Sequence, residues 1–298
     1  MKIGIMGLGN IAQKAYLPIM GATQSIDWVL HTRDEEKINS LKNQYNFNEA
    51  FTDFDAFLNS GIKACFIHTP THTHYEYIKT MLEHDIHVYV DKPISQNIDE
   101  TKELIQLAQD KNLILMSGFN RRHAPFTQKL KAIKNKNMIV VRKNRSHAIQ
   151  DTQFALYDMM IHVVDTALYL LDDEIISMKS KVIESNNTID RAILNIETET
   201  CSLVAYMNMN SGARPETFEV MSSDIHAIVD DLNTYTTVTN QGKIIETFPD
   251  WTPTLERRGF QAIITHFIDL VSTNTQHDTT QDLLSHEVIE AIYKNEQL

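Results

Sequence analysis

The sequence predicts an α/β protein of two domains: a doubly wound parallel sheet over residues 1–120, then a strand-rich domain over 121–298. Three observations predict it. The apolar run Lys2-Ile3-Gly4-Ile5-Met6 ends in Gly7-x-Gly9-x-x-Ala12 and passes at once into helix-compatible sequence. Apolar runs of strand length then alternate with helical stretches as far as Met116, the pattern of a parallel sheet with right-handed crossovers. Near residues 118–125 that alternation gives way to successive β-branched runs separated by turn signals, and this change marks the boundary.

The glycine turn has the form of a dinucleotide site. A glycine first permits the tight turn, a second admits a pyrophosphate to the backbone, and a small third residue packs the helix on the strand. Amides at the helix start would then meet the phosphates. From Asn10 to about Met20 the chain reads as a helix that Pro18 kinks or shortens. Asp27–His31 is a second strand, and Thr32-Arg33-Asp34-Glu35 has capping-box form, opening a helix through Leu41. A short strand at Ala50-Phe51, a capped turn from Asp53 and the apolar run Lys63–His68 follow. A helix over 73–83, a strand over 86–90, a helix over 98–110 and a strand over 113–116 complete the first domain.

The second domain opens with a strand over 138–147. From Phe154 to Leu171 the chain is almost wholly apolar, of helical length and without glycine or proline. Its exceptions, Asp158, His162 and Asp165, fall at i, i+4 and i+7 on one helix face. Charge on such a helix is costly to bury unless paired or used; a polar surface stripe is the competing reading. Strands are expected at 174–183, 191–197, 201–209, 216–222, 225–231 and 234–239, with turns at Asn186-Asn187, Ser211-Gly212 and Gln241-Gly242, and helices at 259–271 and 282–292.

Composition excludes several classes. The 298 residues carry a net charge of −12, which argues against nucleic acid as the main partner. Hydrophobic residues make up 42%, with 9 glycines and 7 prolines, as in an ordinary folded protein. Two cysteines, Cys65 and Cys201, give no disulfide framework. No apolar stretch reaches spanning length and no leader-like segment precedes the first strand, so a soluble cytoplasmic protein without a membrane partner is expected. His68, His72 and His74 resemble a metal cluster, but no metal is expected.

The end of the second strand chooses the cofactor. An acidic residue there suits the free ribose of NAD, and an arginine suits the 2′-phosphate of NADP. Thr32-Arg33, with Lys37 a turn further on, favours NADP over NAD, although Asp34 could still reach a ribose.

In order along the chain stand Gly7-Leu8-Gly9-Asn10-Ile11-Ala12, Thr69-Pro70-Thr71-His72-Thr73-His74, Asp91-Lys92-Pro93, Gly118-Phe119-Asn120-Arg121-Arg122 and Asp158-x-x-x-His162-x-x-Asp165. Together these resemble the glucose–fructose oxidoreductase and inositol dehydrogenase (Gfo/Idh/MocA) family over nearly the whole chain. The Gly-Phe-Asn-Arg-Arg run and Leu255-Glu256-Arg257-Arg258-Gly259-Phe260 look most like its MviM-like branch. The resemblance implies a Rossmann domain followed by an α+β domain with a large, open, mostly antiparallel sheet that often joins homodimers or homotetramers. It implies that Lys92, Asp158 and His162 match the catalytic positions, and that Pro93 matches a proline often cis after the lysine. It places Thr69, Pro70 and His74 on the cofactor side, with Gly7, Gly9, Asn10, Ile11, Ala12, Thr32, Arg33, Asp91 and Lys92. Asn120, Arg121 and Arg122 are expected substrate contacts beside Asp158 and His162.

The expected chemistry is hydride transfer between a nicotinamide and a secondary alcohol or carbonyl carbon of a sugar-like or polyol substrate. His162 is the first choice of proton acceptor because imidazole titrates in the right range, with Lys92 polarising the reacting oxygen. Lys92 becomes the acceptor instead if burial lowers its pKa. Relatives carry glycines around the aspartate and histidine, where this chain has Tyr157, Met159 and Met160, which suggests a narrower pocket or a less polar substrate. A non-enzymatic NAD(P)-binding sensor is the alternative function.

Overall fold

The computed structural model describes residues 1–296. They divide into two compact units, one of Met1–Gly118 with Ile263–Thr280, the other of Phe119–Ala262 with the residues from Gln281 onward. The division is less simple than a single switch at residue 120, because the chain returns to the first unit near its end.

In the first unit the strands are β1 (Lys2–Met6), β2 (Asp27–His31), β3 (Glu49–Phe51), β4 (Ala64–Ile67), β5 (His87–Val90) and β6 (Leu115–Ser117). They form one parallel sheet in the order β3-β2-β1-β4-β5-β6. This is the doubly wound order whose switch point lies between β1 and β4. The helices α1 (Leu17–Ala22), α2 (Glu35–Tyr45), α3 (Phe54–Leu58), α4 (His74–Glu83) and α5 (Ile98–Asp110) connect them. All four residues of β4 are buried, which is why it reads as a continuous apolar run without alternation.

Two local departures have plain causes. The helix after β1 passes through a π-helical turn at Ala12–Tyr16 before α1, and Pro18 sits in the first turn of α1. Proline has no N–H and its ring collides with the carbonyl four residues back; the wider turn just before it relieves both problems without ending the helix. The cap of α2 is Asp34 rather than Thr32: its carboxylate accepts from the Lys37 amide at 2.9 Å.

The second unit contains α6 (Pro125–Lys131), β7 (Lys136–Asn144), α7 (Thr152–Ala155) and α8 (Ile161–Leu170). Strands β8 (Ser177–Ser185), β9 (Thr188–Glu197), β10 (Ser202–Asn208), β11 (Glu216–Ser222), β12 (His226–Asp230), β13 (Thr234–Thr239) and β14 (Gly242–Thr247) follow, then the short helix α9 (Thr254–Arg257). The sheet runs β14-β13-β12-β11-β7-β10-β9-β8, antiparallel except where β7 and β10 pair in parallel. β14 escaped the sequence because all six of its residues are exposed, leaving no in–out alternation to detect. Along β7, Ile139 and Val141 are fully buried in the core that includes Val163, Val164 and Ala167 of α8, while Val140 and Arg142 are half-buried.

Helix α10 (Phe260–Thr273) supplies Phe267 to the first unit's core, where its ring meets Phe66 and Tyr89. Helix α11 (Thr280–Lys294) supplies Val288, Ile289 and Ile292 to the second core. No helix among the described residues is long and apolar enough to cross a membrane.

Candidate active site

Beyond the carboxyl ends of β1, β2 and β4 lies a cavity of about 680 Å³, within the range of cofactor sites. The loop Gly7–Ile11, the segment His31–Arg33 and His68–Pro70 form its walls. Gly7 holds φ at +89°, and a Cβ there would stand 2.7 Å from the His68 carbonyl carbon and the Thr69 amide nitrogen. Only glycine fits between β1 and the β4 loop. Gly9 differs: a Cβ there would meet nothing of the protein within 4 Å, so its bareness serves whatever fills the cavity. Asn10 and Ile11 are exposed at the helix start, and Ala12 is fully buried beneath it. A bare turn, accessible amides at a helix start and a small buried third residue fit a dinucleotide's pyrophosphate.

Beyond the end of β2, Thr32, Arg33 and Lys37 line the cavity. Asp34 does not line it. Its carboxylate caps α2 and pairs with the Lys37 ammonium at 3.1 Å.

Two expected cofactor-side residues have partners within the first unit. His74 is fully buried and absent from the cavity wall; its Nδ1 lies 2.8 Å from the Pro93 oxygen and its Nε2 2.9 Å from the Thr69 oxygen. It therefore holds the Thr69-Pro70 wall to the loop after β5. Asp91 is likewise absent from that wall, accepting from the Tyr16 hydroxyl at 2.7 Å and pairing with His68 Nδ1 at 2.9 Å. Burial works to raise the Asp91 pKa, but His68 and Tyr16 outweigh it and hold the carboxyl below its ordinary value. Lys92, half-buried, follows Asp91, and the Lys92–Pro93 bond is cis.

In the second unit the apolar helix is not uniform. α7 leads into a π-helical turn at Leu156–Met160 and then into α8. Asp158 sits inside the wide turn and His162 in the first turn of α8, both half-buried. Wide turns of this kind are frequent at functional sites. Tyr157, Met159 and Met160 are buried in the core, where their bulk packs the helix.

Asn120, Arg121 and Arg122 form a 3-10 turn, and all three are buried. Gly259, at φ +80°, lies against its backbone, where a Cβ would stand 2.6 Å from the Ala124 nitrogen. Each of the three expected substrate contacts has an internal partner. The Asn120 amide donates to the Arg258 oxygen at 2.8 Å. Arg121 grips Glu216 through Nε and Nη2, while its Nη1 lies 2.8 Å from His162 Nδ1. Arg122 holds Asp165 through Nε at 3.0 Å and also through Nη2, and it donates to Asp282 from Nη1 at 2.8 Å. Ser285 donates to the same Asp165 at 3.0 Å, and Phe119 lies beneath the guanidinium at 4.8 Å. Asp165, which shared the expected functional face, is thus paired and structural.

The electrostatics of the two arginines differ. Around Glu216 stand Arg121, Lys143 at 2.8 Å and Arg258 at 3.5 Å. Burial works to raise the Glu216 pKa, yet Arg121 and Lys143 hold it well below the carboxylate range. Burial, reinforced by Arg121, pushes Lys143 down to about 7 against the pull of Glu216. One carboxylate does not compensate several buried cations, and a guanidinium cannot yield its proton, so Lys143 is the group that yields. Around Arg122 the carboxylates are in excess. Burial, with Asp282 adding to it, raises Asp165 to about 6 although Arg122 opposes this.

Sequence reasoning missed Glu216, Lys143 and the His68–Asp91 pair. Only the rarity of buried charge at a strand start such as Glu216 could have drawn attention to them. Among the described residues, no three histidine, cysteine, aspartate or glutamate side chains gather as a metal site.

Residues 1–119 match the family described as "Oxidoreductase family, NAD-binding Rossmann fold", of Gfo/Idh/MocA type, and residues 125–240 match the "YceM-like, C-terminal domain". The chain is 32% identical to "Putative oxidoreductase YceM" of Salmonella typhimurium, across 99% of this chain and 98% of that protein. The chain belongs to the Gfo/Idh/MocA oxidoreductase family. This oxidoreductase superimposes on the crystal structure of the dehydrogenase MviM from Clostridium difficile with a TM-score of 0.94, at 28% identity and with 99% of each chain covered. It is also 25% identical to "D-xylose 1-dehydrogenase (NADP(+)) 2" of Haloferax volcanii over 43% of this chain and 40% of that protein.

Proposed function

We propose that this oxidoreductase transfers a hydride between NADP and a secondary alcohol or carbonyl carbon of a sugar-like or other small polyhydroxy compound. The carrying observation is the make-up of the cavity's ribose end, where Arg33 and Lys37 line the wall and Asp34 is engaged in capping α2. A guanidinium suits a 2′-phosphate, and a carboxylate would repel it. Likeness to a relative named for D-xylose and NADP supports the same reading. In it, Gly7, Gly9, Asn10, Ile11 and Ala12 receive the pyrophosphate, Thr32 and Arg33 the adenosine ribose, and Thr69 and Pro70 the nicotinamide side.

When bound, the nicotinamide supplies the hydride acceptor or donor. In this reading Lys92 and His162 stabilise the reacting oxygen and exchange its proton, and Asp158 orients the substrate hydroxyl. With the internal partners of Asn120, Arg121 and Arg122 assigned, Asp158 and His162 carry the substrate role on the second unit. Family membership as an oxidoreductase leaves the non-enzymatic sensor without support. We further propose a homodimer or homotetramer joined through the sheet face carrying Val140, Val204 and Tyr206, all half-buried. A reducing, cytoplasmic compartment suits the two buried free thiols.

The test is turnover of a panel of aldoses, polyols and their keto forms with NADP(H) and NAD(H). Lys92→Ala should abolish it while NADPH still binds. Unchanged turnover in that variant, or no reaction across the panel, overturns the assignment.

A further inference from the structure

The run Leu255-Glu256-Arg257-Arg258-Gly259-Phe260 stands out in the sequence and has no part in the function proposed above. The fold pins it at Arg258. The Arg258 carbonyl accepts from the Asn120 side-chain amide at 2.8 Å. Gly259 follows at φ +80°, where a Cβ would stand 2.2 Å from the Asn120 backbone oxygen. Only glycine admits that approach, so the Arg258 backbone is held beside the 3-10 turn that carries Arg121.

This places the Arg258 guanidinium at a carboxylate that already has closer partners. Oε2 of Glu216 receives Lys143 at 2.8 Å and Arg121 Nη2 at 3.3 Å, while Arg258 Nη2 stands off at 3.5 Å. A carboxylate oxygen offers about two acceptor sites, and 3.5 Å is longer than an N–H···O bond. Among the described residues, Glu216 is the only carboxylate within ion-pair distance of any of these three cations. Asp231 accepts from the Glu216 amide at 2.9 Å, but it is exposed and its charge is screened by water. Even with Lys143 neutral, two guanidiniums face one buried carboxylate. All four side chains of the cluster belong to the second unit. Those of Arg121 and Lys143 are 7% and 9% exposed, and that of Arg258 is 35% exposed. The surplus positive charge therefore meets solvent at Arg258.

We propose that Arg258 is an anion subsite: its guanidinium takes a terminal oxyanion of the sugar-like substrate, the chemistry that a uronate carboxylate and a sugar phosphate share. The proposal rests on the reading that puts the substrate at His162, from whose Nδ1 the Arg121 Nη1 is 2.8 Å away. Arg121 thus joins the cluster to that residue. A guanidinium meets a planar oxyanion through two parallel N–H···O bonds, and Arg258 is held to Glu216 by one long contact only. Arg121 and Lys143 do not touch the ligand; they supply the field behind Arg258. An incoming anion must shed water, and the uncompensated charge already in place offsets that cost. A neutral polyol gains nothing from it, so the site selects charged sugars over their neutral parents.

The test titrates glucose, glucuronate and glucose 6-phosphate into the full-length protein loaded with NADPH, read by calorimetry, and adds the same compounds to the turnover panel. At least one charged sugar should bind about tenfold or more tighter than glucose, the worth of one charge-assisted contact. Preference for glucuronate marks a carboxylate as the natural group, and preference for glucose 6-phosphate marks a phosphate. Arg258→Gln leaves Glu216 its two closer partners, so the fold should persist by thermal melting. It should erase the preference without changing glucose affinity, and Arg258→Lys should restore part of it. Neither charged sugar exceeding glucose, or Arg258→Gln weakening charged and neutral sugars alike, overturns the proposal. If neutral sugars turn over while charged ones fail to bind, the subsite alone fails. If charged sugars bind through Arg258 and no compound in the panel turns over, the functional reading fails and the anion subsite stands.

Discussion

The first unit lines its cavity largely with backbone, and the second gathers buried charge into networks. In the first, Gly7 and Gly9, the helix start at Asn10 and the strand-end loops leave room for a ligand. Its buried polar groups, His74 and the His68–Asp91 pair, tie one loop to the next. In the second unit two consecutive arginines anchor separate networks: Arg121 with Glu216 and His162, Arg122 with Asp165 and Asp282. A backbone wall tolerates loss of a side chain because nothing is left unpaired. A charged wall does not, since removing one partner leaves the other buried and uncompensated.

That contrast can be broken in four ways, largest effect first. Arg122→Leu takes from Asp165 and Asp282, both about 1% exposed, the guanidinium they share, and should cost about 3–5 kcal/mol by urea unfolding. A loss below about 1 kcal/mol would show that the network carries little of the second unit's stability.

Glu216→Gln should cost less, about 3 kcal/mol at neutral pH, because Lys143 can shed its proton when its counter-charge goes. Its pH signature is distinctive. The Glu216 pKa is depressed in the folded protein, so the unfolded chain binds more protons as pH falls. The carboxylate's contribution is present above about pH 4.3, the unfolded value, and is lost below it. The variant's stability should therefore fall less steeply than that of the wild type on acidification, and parallel acid limbs would contradict this.

The glycines separate folding from binding. Gly7→Ala should lose about 1–2 kcal/mol, since its positive φ and the backbone 2.7 Å away both oppose a Cβ. Gly9→Ala should leave stability within about 0.5 kcal/mol and weaken NADPH, read by calorimetry. Equal effects of the two on stability would refute the distinction. Smallest is Arg33→Ala, which should leave stability unchanged and narrow the preference for NADPH over NADH by about tenfold, the loss of one charge-assisted contact. A wild type that prefers NADH would overturn the cofactor choice.

The same contrast explains what the sequence could say. The first unit's strands and helices were legible because each declares itself within a few residues: β2 at 27–31 and α5 at 98–110 were placed at their observed bounds. The glycine turn and the Thr32-Arg33 wall are local in the same sense. Strands β11 and β13 were equally readable from turn signals and β-branched runs. The second unit's networks were not. Arg121 finds Glu216 across 95 residues and Arg122 finds Asp282 across 160, and no periodicity encodes such pairs. Hence Arg121 and Arg122 read alike in sequence and differ in fate. The i, i+4, i+7 stripe of Asp158, His162 and Asp165 was visible, but the π turn at Leu156–Met160 and the pairing of Asp165 depend on the folded surroundings.

The central claim is that the first unit binds the cofactor while Lys92 and His162 carry the chemistry. It is tested most directly by measuring NADPH affinity and turnover together in His162→Ala. The account predicts kcat reduced about 10²–10⁴-fold, the usual worth of a positioned proton-handling group, with the NADPH dissociation constant changed less than about twofold. Turnover that survives, or affinity that falls in step with it, would contradict the account.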